Sequence, residues 1–490
     1  MELSMAEHNH PWSNAIFVDG RFQPPAGGET LPVRDKSSDE VFGAAGAAGT
    51  ADVDAAVASS VTAQRAWAAL PYSERAAVLH RVAAALEQAD GFRELIMRET
   101  GSIAGKADYE IASAVGELTE AAALASRPVG EVLQSSHEGR FSVAERLPVG
   151  LVGVITPWNF PLVLGMRVIA PALALGNVVL LKPSPETPVS GGLAIGELFE
   201  RAGAPAGIFQ VLPGDEEVGR RLVEHPDVAM VHFTGSTTVG RDIARTAGSL
   251  LKKTSLELGG NNALLVLDDA DIDQAAMIGA WSSFHYQGQT CISAGRHIVD
   301  RTVADAYLRN LTDRAAAITV GDPLRDNTGL GPIINDAQLK RATALLEEAV
   351  AGGARILTGG TSEGRFFRPT VVVDVDPASA LWTEEIFAPI APVAVVDGAD
   401  QAVALANDTR YGLVSSVVGT DVHRATQVAR RLNCAMVHVN DATPQDEPLA
   451  PFGGIGQSGL GGRAGGDANL EEFTERRWRT VNSDLVHYPY

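Results

Sequence analysis

Only two cysteines, Cys291 and Cys434, occur in 490 residues, and they lie far apart in the chain. That excludes a disulfide framework and any zinc site built from CxxC pairs, and no metal site is expected. Lysine is almost as scarce, at six residues, and acidic side chains outnumber basic ones 60 to 39, for a formal net charge of −21. A surface of that sign is repelled by phosphate backbones and anionic lipid, and no Lys/Arg run makes a local exception. Neither nucleic acid nor a membrane surface is therefore an expected partner. Long apolar runs are missing too. The longest stretch, Val149 to Leu181, is cut by Pro157, Pro161 and Pro171 and reads as strand, turn, helix, strand. Met1 to Gly20 has no apolar segment of the secretory type, so a cytoplasmic location is expected.

What is present describes a folded, turn-rich chain. Apolar residues make up 45% and charged residues 20%, with 50 glycines and 26 prolines. The length implies two or three domains. Helical spacing of apolar positions predicts helices over Ala51–Leu70, Ser73–Met97 and Ile111–Leu124. Arg140–Leu147 alternates in polarity and reads as an exposed ribbon. From Val149 onward, short β-branched runs alternate with helices. Strands are expected at Gly150–Ile155, Asn177–Leu181, Phe209–Leu212 and Met230–Phe233, with helices near Leu164–Leu175, Gly191–Ala202 and Glu216–Glu224. Such alternation means βαβ units and a parallel sheet of nucleotide-binding type. A second α/β block runs from about Leu258 to Val439. It opens with the strand Ala263–Leu267 and the helix Asp271–Tyr286, and further strands lie near His297–Val299, Val371–Val373, Val393–Val395 and Met436–Val439. The tail Thr480–Tyr490 suits pairing with the Arg140 ribbon or with a neighbouring subunit.

Several residues stand out for chemistry. Gly454 to Gly459 matches GxGxxG, but no strand precedes it in the required way, so it reads as a structural loop. The better phosphate-binding candidate is Phe233-Thr234-Gly235-Ser236, which follows a strand and opens a helix; Gly235 permits close approach and Ser236 caps the helix or meets a pyrophosphate. Lys182 ends a strand, where α/β sheets bind ligands, and is suited to donate to ribose hydroxyls. Cys291 sits among small and polar residues after a long helix, a setting for a nucleophilic thiolate, whereas Cys434 reads as a small core residue. Glu257 lies between two leucines beside glycines, where burial would raise its pKa towards that of a general base. Asn159, on the proline-braced turn Pro157–Pro161, offers an amide donor for an oxyanion. Each also has a plain structural reading: cap, strand-end lysine, solvent-facing acid or Asx-turn.

Together these segments resemble the aldehyde dehydrogenase superfamily. The resemblance spans the chain from the helices near Ala51 to Phe473. It rests on Pro157–Pro161, Lys182-Pro183-Ser184, Phe233–Ser236, Leu256–Gly260, Gly288–Cys291, Glu385–Pro389 and Pro451–Gly454, in the family's order. It implies Cys291 as the nucleophile, with the Asn159 side chain and the Cys291 backbone N–H as the oxyanion hole and Glu257 as the base that activates the hydrolytic water. Oxidation would pass through a thiohemiacetal and a thioester. It also implies NAD+, with NADP+ possible, held by Trp158, Lys182, Ser184, Gly214, Gly235, Ser236, Glu385 and Phe387. The implied fold class is α/β, with a Rossmann-like NAD(P)-binding domain (1–125 and 149–257), a catalytic domain (258–465) and a bridging β-ribbon for oligomerisation (126–148 and 466–490). A homodimer or homotetramer follows from the same resemblance.

Within the superfamily the sequence is more similar to the benzaldehyde and vanillin dehydrogenase group. Asn261–Leu264, Cys291–His297, Asn440-Asp441, Glu447-Pro448 and the Phe473–Trp478 region carry that similarity. It implies an aromatic aldehyde substrate in an apolar pocket, with Phe160, Tyr286, Ile292 and Leu449 as candidates beside Trp158. NAD-specific relatives often carry a glutamate three residues after the lysine; here Pro185 takes that place and Glu186 follows it, so NADP+ use is plausible. Two alternatives stay open. One is a semialdehyde dehydrogenase, which needs a cationic pocket that Arg167 and Arg296 do not obviously make. The other is a non-catalytic cofactor-binding protein on the same fold.

Overall fold

The β-branched runs from Val149 onward form strands buried on both faces, as parallel strands covered by helices must be. In the computed structural model, which describes residues 10–325 and 327–490, they build an eight-stranded sheet. Its spatial order is Arg21–Gln23, Ile16–Val18, Phe209–Val211, Val178–Lys182, Leu151–Ile155, Met230–Thr234, Lys253–Glu257 and Gly459–Leu460. The five central strands run parallel. Residues 1–9, which the reading of the N-terminus and of the first domain included, lie outside the described residues.

The chain order reverses between Leu151–Ile155 and Met230–Thr234. The parallel strands on one side of this point come from 178–211 and those on the other from 230–257. A crevice opens beyond the carboxyl ends of the strands at such a reversal. Ile155, Lys182, Thr234 and Glu257 are those strand ends. The helix Pro161–Ala174 starts there with proline at its first position, where a missing N–H costs nothing, and every one of its residues is buried.

A second, seven-stranded sheet has the order Arg355–Thr358, Thr370–Val373, Ile390–Val396, Ala294–Asp300, Asn262–Val266, Val414–Val418 and Met436–Val439; only the Arg355 edge strand is antiparallel. A third sheet, Thr474–Asn482, Arg140–Pro148 and Gly130–Leu133, is the antiparallel ribbon. The tail does pair with Arg140–Pro148, with Thr480 opposite Ser142 and Asn482 opposite Arg140.

Several expectations need correction. Ser73–Met97 is two helices, Tyr72–Glu87 and Phe92–Thr100, because Gly91 takes φ 87° between them, a conformation open to glycine. The helix Asp271–Tyr286 stops at Phe284, since Tyr286 and Gln287 both have positive φ. Val414–Val418, second from one edge of the second sheet, and the N-terminal strands are additional to the sequence reading; two serines break the apolar run at Val414. The strand Gly459–Leu460 belongs to the first sheet, although 258–465 was assigned to the catalytic domain. No helix among the described residues is long and apolar enough to cross a membrane.

Candidate active site

Cys291 is placed by a reversal of the chain. After the helix Ile272–Phe284, Tyr286 (φ 48°), Gln287 (φ 56°) and Gly288 (φ 65°) turn the backbone back on itself. Two non-glycine residues in the left-handed region are unfavourable unless the surroundings hold them. Gln287 Nε2 donates to the carbonyls of Gly101 (3.2 Å) and Pro332 (2.8 Å), and Gln289 Oε1 accepts from the Ile334 N–H at 2.9 Å. Asn262 Nδ2 then donates to the carbonyls of Cys291 (2.8 Å) and Ser293 (2.7 Å). Gly260 must be glycine here, because a Cβ would stand 2.7 Å from the Cys291 oxygen.

The half-buried Cys291 lies where two cavities meet. One, of about 390 Å³, lies at the strand ends and is lined by Trp158, Gly235, Ser236, Glu257, Glu385 and Phe387, among others. The other, of about 520 Å³, is walled by Tyr109, Phe160, Trp281, Ile292 and Phe452, among others. Asn159, Leu164 and Cys291 line both. Asn159 Nδ2 donates to the Gln289 carbonyl at 3.0 Å, which orients the amide and leaves its second N–H for another acceptor.

The electrostatics around Cys291 favour neutral forms. Burial, then the nearby Glu385 and Glu257 carboxylates, push its thiol up to about 12. Burial likewise raises Glu257 to about 8, against the pull of Arg463 and Arg167. Glu257 is 7% exposed, and its Oε2 is buried without a hydrogen-bond partner among the described residues. The Glu257 charge thus opposes ionisation of the Cys291 thiol. The GxGxxG segment buttresses the strand that ends at Glu257. Gly459 and Leu460 pair with Glu257 and Leu256, and the Ser458 carbonyl accepts the Leu258 N–H at 2.9 Å.

The smaller cavity presents groups suited to parts of a dinucleotide. Ser236 caps the helix Thr237–Ser249, whose N-terminus carries partial positive charge suited to a pyrophosphate. Glu385 is an acceptor laid across the glycine turn. Its Oε1 takes the Gly260 N–H at 3.0 Å, and a Cβ on Gly259 would come 2.3 Å from Oε2. Phe387 holds a positive φ (55°) with its ring edge-on to Trp158 at 5.4 Å. Lys182, Ser184 and Gly214 stand apart from these lining residues. Lys182 is buried at its strand end and lowered to about 8 by desolvation. Ser184 Oγ accepts the Glu186 N–H at 3.2 Å, and Gly214 packs against Val218.

Residues 22–479 match the aldehyde dehydrogenase family. The chain belongs to that family. It is 46% identical over 481 residues to a vanillin dehydrogenase of Amycolatopsis sp., with 98% of each chain covered. It is also 46% identical over 480 residues to a benzaldehyde dehydrogenase [NAD(+)] of Pseudomonas putida, again with 98% of each covered. A crystal structure of betaine aldehyde dehydrogenase from Staphylococcus aureus in complex with NAD+ superposes with a TM-score of 0.95 at 29% identity, covering 98% of this chain and 97% of that one. The protein is an NAD(P)-dependent aldehyde dehydrogenase.

Not every expected pocket residue of this aldehyde dehydrogenase lines the larger cavity. Phe160 and Ile292 do. Tyr286 does not: it is 1% exposed, lies behind Phe160 with the rings 5.4 Å apart, and donates its hydroxyl to the Thr100 carbonyl at 3.3 Å. Leu449 is 59% exposed and faces a separate recess with Glu117 and Leu124. Neighbourhood in sequence misplaced both.

The wall residues that sequence reasoning missed come from distant helices. Lys106, fully buried, pairs with Glu110 one turn on, and its Nζ lies 4.5 Å and 4.3 Å from the Phe160 and Tyr286 ring centroids. Lysine scarcity, used above for Lys182, would have flagged Lys106 as well. Arg167 also lines the cavity, bonded to Glu117 at 3.1 Å and paired with Asp446. Arg296 instead ties together the carbonyls of Asn261, Leu405 and Ala406. Cys434 packs at the edge of the second core, its thiol 3.2 Å from the Met436 carbonyl.

Proposed function

We propose that this chain oxidises aromatic aldehydes of the benzaldehyde and vanillin type to carboxylic acids, with Cys291, Asn159 and Glu257 as the catalytic residues. The observation that carries the reading is the meeting of a cavity at the strand ends and an aromatic-walled cavity at Cys291. The Cys291 sulfur adds to the aldehyde carbon as its proton leaves, with Glu257 the neighbouring acceptor. The free Asn159 N–H and the Cys291 backbone N–H take the charge that develops on the carbonyl oxygen. One such donor is worth about 3–4 kcal/mol to the transition state. NAD(P)+, held by Trp158, Gly235, Ser236, Glu385 and Phe387, with Lys182, Ser184 and Gly214 further out, supplies a hydride acceptor when bound. Once Glu257 has passed the thiol proton to solvent, it takes a proton from the water that cleaves the acyl–sulfur bond and returns that proton to the departing sulfur, so that the acid leaves and the Cys291 thiol is restored.

A neutral substrate is favoured because both cations on the larger cavity, Lys106 and Arg167, already have carboxylate partners. A semialdehyde's distal carboxylate would find no uncompensated positive charge there. The ribbon would join subunits into a homodimer or homotetramer, since Val129, Val132, Phe141 and Trp478 on it are exposed. Light scattering of the purified protein tests that assembly.

The substrate reading is tested by kcat/KM for benzaldehyde, vanillin, hexanal and glutarate semialdehyde with each cofactor. We expect the aromatic aldehydes to lead by at least about tenfold, or ~1.4 kcal/mol of differential transition-state binding. Preference for the carboxylated aldehyde would overturn it.

A further inference from the structure

We infer that Asn335 is a positioning residue for the cofactor. With Lys36 and Glu186 it forms a latch between the two large sheets, and the latch sets the turn that meets the hydride-accepting half of NAD(P)+. This rests on the cofactor placement proposed above and adds to it three residues that line neither cavity.

Glu186 follows the strand Val178–Lys182 of the first sheet, and Asn335 opens the helix Asp336–Ala351, which packs on the second. The Glu186 carboxylate spans the boundary. Its Oε2 meets Lys36 Nζ at 2.6 Å, and its Oε1 accepts from Asn335 Nδ2 at 2.7 Å. The Lys36 side chain is 5% exposed, and Glu186 is its only ion-pair partner among the described residues. Stripping a buried ammonium of its carboxylate is costly, so Lys36 pins Glu186 in place. The Lys36 carbonyl in turn accepts from Arg365, which lies between strands of the second sheet, at 3.0 Å.

Asn335 carries this contact into the cofactor cavity. Its Oδ1 accepts the Gln338 N–H at 2.9 Å and so caps the helix. Gln338 Nε2 donates to the Phe387 carbonyl at 2.8 Å, and Arg341 donates to the carbonyls of Ile386 (3.1 Å) and Glu385 (2.6 Å). The start of one helix thus holds three successive carbonyls of the Glu385–Phe387 turn. Phe387 has φ 55°, which a non-glycine residue keeps only where its surroundings hold it. Gln338, Arg341, Glu385 and Phe387 all line the cavity. Glu385 is near enough to Cys291 for its charge to act on the thiol, so this is the end at which hydride leaves the carbon joined to sulfur. Lys182 and Ser184 stand apart from it, in the segment that Lys36 pins through Glu186. Breaking the Asn335 bond therefore frees the helix start and spares the adenosine end.

The test is calorimetric titration of the purified protein with NAD+ and with ADP, which lacks the nicotinamide half. Asn335→Asp keeps an oxygen for the cap but sets a carboxylate against Glu186 where a donor stood. It should weaken NAD+ about tenfold and leave ADP within about twofold. Adding Glu186→Gln restores a donor–acceptor pair with the charges exchanged, and NAD+ affinity should return to within about threefold of the wild type. Equal losses for NAD+ and ADP, no loss for NAD+, or a double variant no better than Asn335→Asp overturns the latch. Glu385→Ala tests the placement on which it rests. Unchanged NAD+ affinity there overturns placement and latch together, whereas a loss there with none in Asn335→Asp overturns the latch alone.

Discussion

The two cavities that meet at Cys291 are built from different materials. The dinucleotide side is made largely of strand ends and the turns that leave them: Thr234-Gly235-Ser236, Glu257-Leu258-Gly259 and Pro157–Asn159. Its polar groups are backbone N–H groups, a helix N-terminus and a carboxylate laid over glycines. The substrate side is made of side chains from three helical regions and one C-terminal loop, with Lys106, Phe160, Trp281 and Phe452 from four separate places. A parallel sheet dictates where the first kind of site must lie. Nothing in the topology dictates the second, which depends on which side chains distant helices present. Substitutions should therefore separate the two sides, by chemistry on one and by packing and substrate choice on the other.

The largest effect is expected at their junction. Cys291→Ala should lower turnover by at least about 10⁴-fold, because the covalent route is lost and the remaining groups act on an unattached aldehyde. NAD+ affinity, measured by fluorescence titration, should stay within a few-fold. If affinity fell in parallel with turnover, the two cavities would not be separable at this residue. Glu257→Gln comes next. We expect deacylation to slow by about 10³-fold and one equivalent of reduced cofactor to appear as a burst. The base form of Glu257 becomes populated as pH rises through about 8. In the wild type, single-turnover acyl hydrolysis should therefore accelerate with pH about a midpoint near 8, and in Glu257→Gln that rise should vanish. A midpoint in the ordinary carboxylate range would mean that Glu257 is solvated during the step.

The same contrast explains what could be read from sequence. Glu257, Asn159, Gly235 and Ser236 each sit within a residue or two of a strand end or a helix start, so local pattern and local position agree, while Cys291 stands out by its small and polar neighbours. Tyr286 and Leu449 were placed by nearness in sequence to Asn159, Cys291 and the C-terminal loop. The positive φ at Tyr286 turns its ring behind Phe160, and Leu449 ends up exposed in a separate recess that it shares with Glu117 and Leu124. Lys106, Trp281 and Asp446 reach the cavity only through tertiary packing. The strand Gly459–Leu460 joins the first sheet from the other end of the chain, a long-range antiparallel pairing that no local periodicity announces.

The packing side is sharpened by Glu110→Ala. Lys106 and Glu110 are both fully buried, and Glu110 Oε2 also accepts the N–H groups of Leu162 (3.0 Å) and Val163 (3.3 Å), at the start of the helix that follows Asn159. Removing the carboxylate leaves a buried ammonium and two backbone donors without partners, a loss of about 3 kcal/mol or more in chemical denaturation. Lys106→Met with Glu110→Gln should recover most of it, since the amide oxygen still accepts from Leu162 and no charge remains. Failure to recover would show that the ammonium between Phe160 and Tyr286 holds the wall together through its ring contacts.

The smallest effect concerns the cofactor's adenosine end. Glu186, one residue beyond Pro185, is turned to other partners: Oε2 meets Lys36 Nζ at 2.6 Å and Oε1 accepts from Asn335 Nδ2 at 2.7 Å. A carboxylate held by a lysine and an asparagine is poorly placed to repel a 2′-phosphate. Asp215 acts on Lys182 through its charge, but no carboxylate forms an ion pair with Lys182 among the described residues, which leaves little to discriminate there. Dissociation constants for NAD+ and NADP+ should accordingly lie within about tenfold of one another, less than ~1.4 kcal/mol apart. Glu186→Gln should leave their ratio unchanged, because the side chain's partners rather than its charge decide its position. A ratio above about a hundredfold in favour of NAD+, relaxed by that substitution, would mean that Glu186 leaves Lys36 when the cofactor binds. The dinucleotide side would then owe its selectivity to a side chain, as the substrate side does.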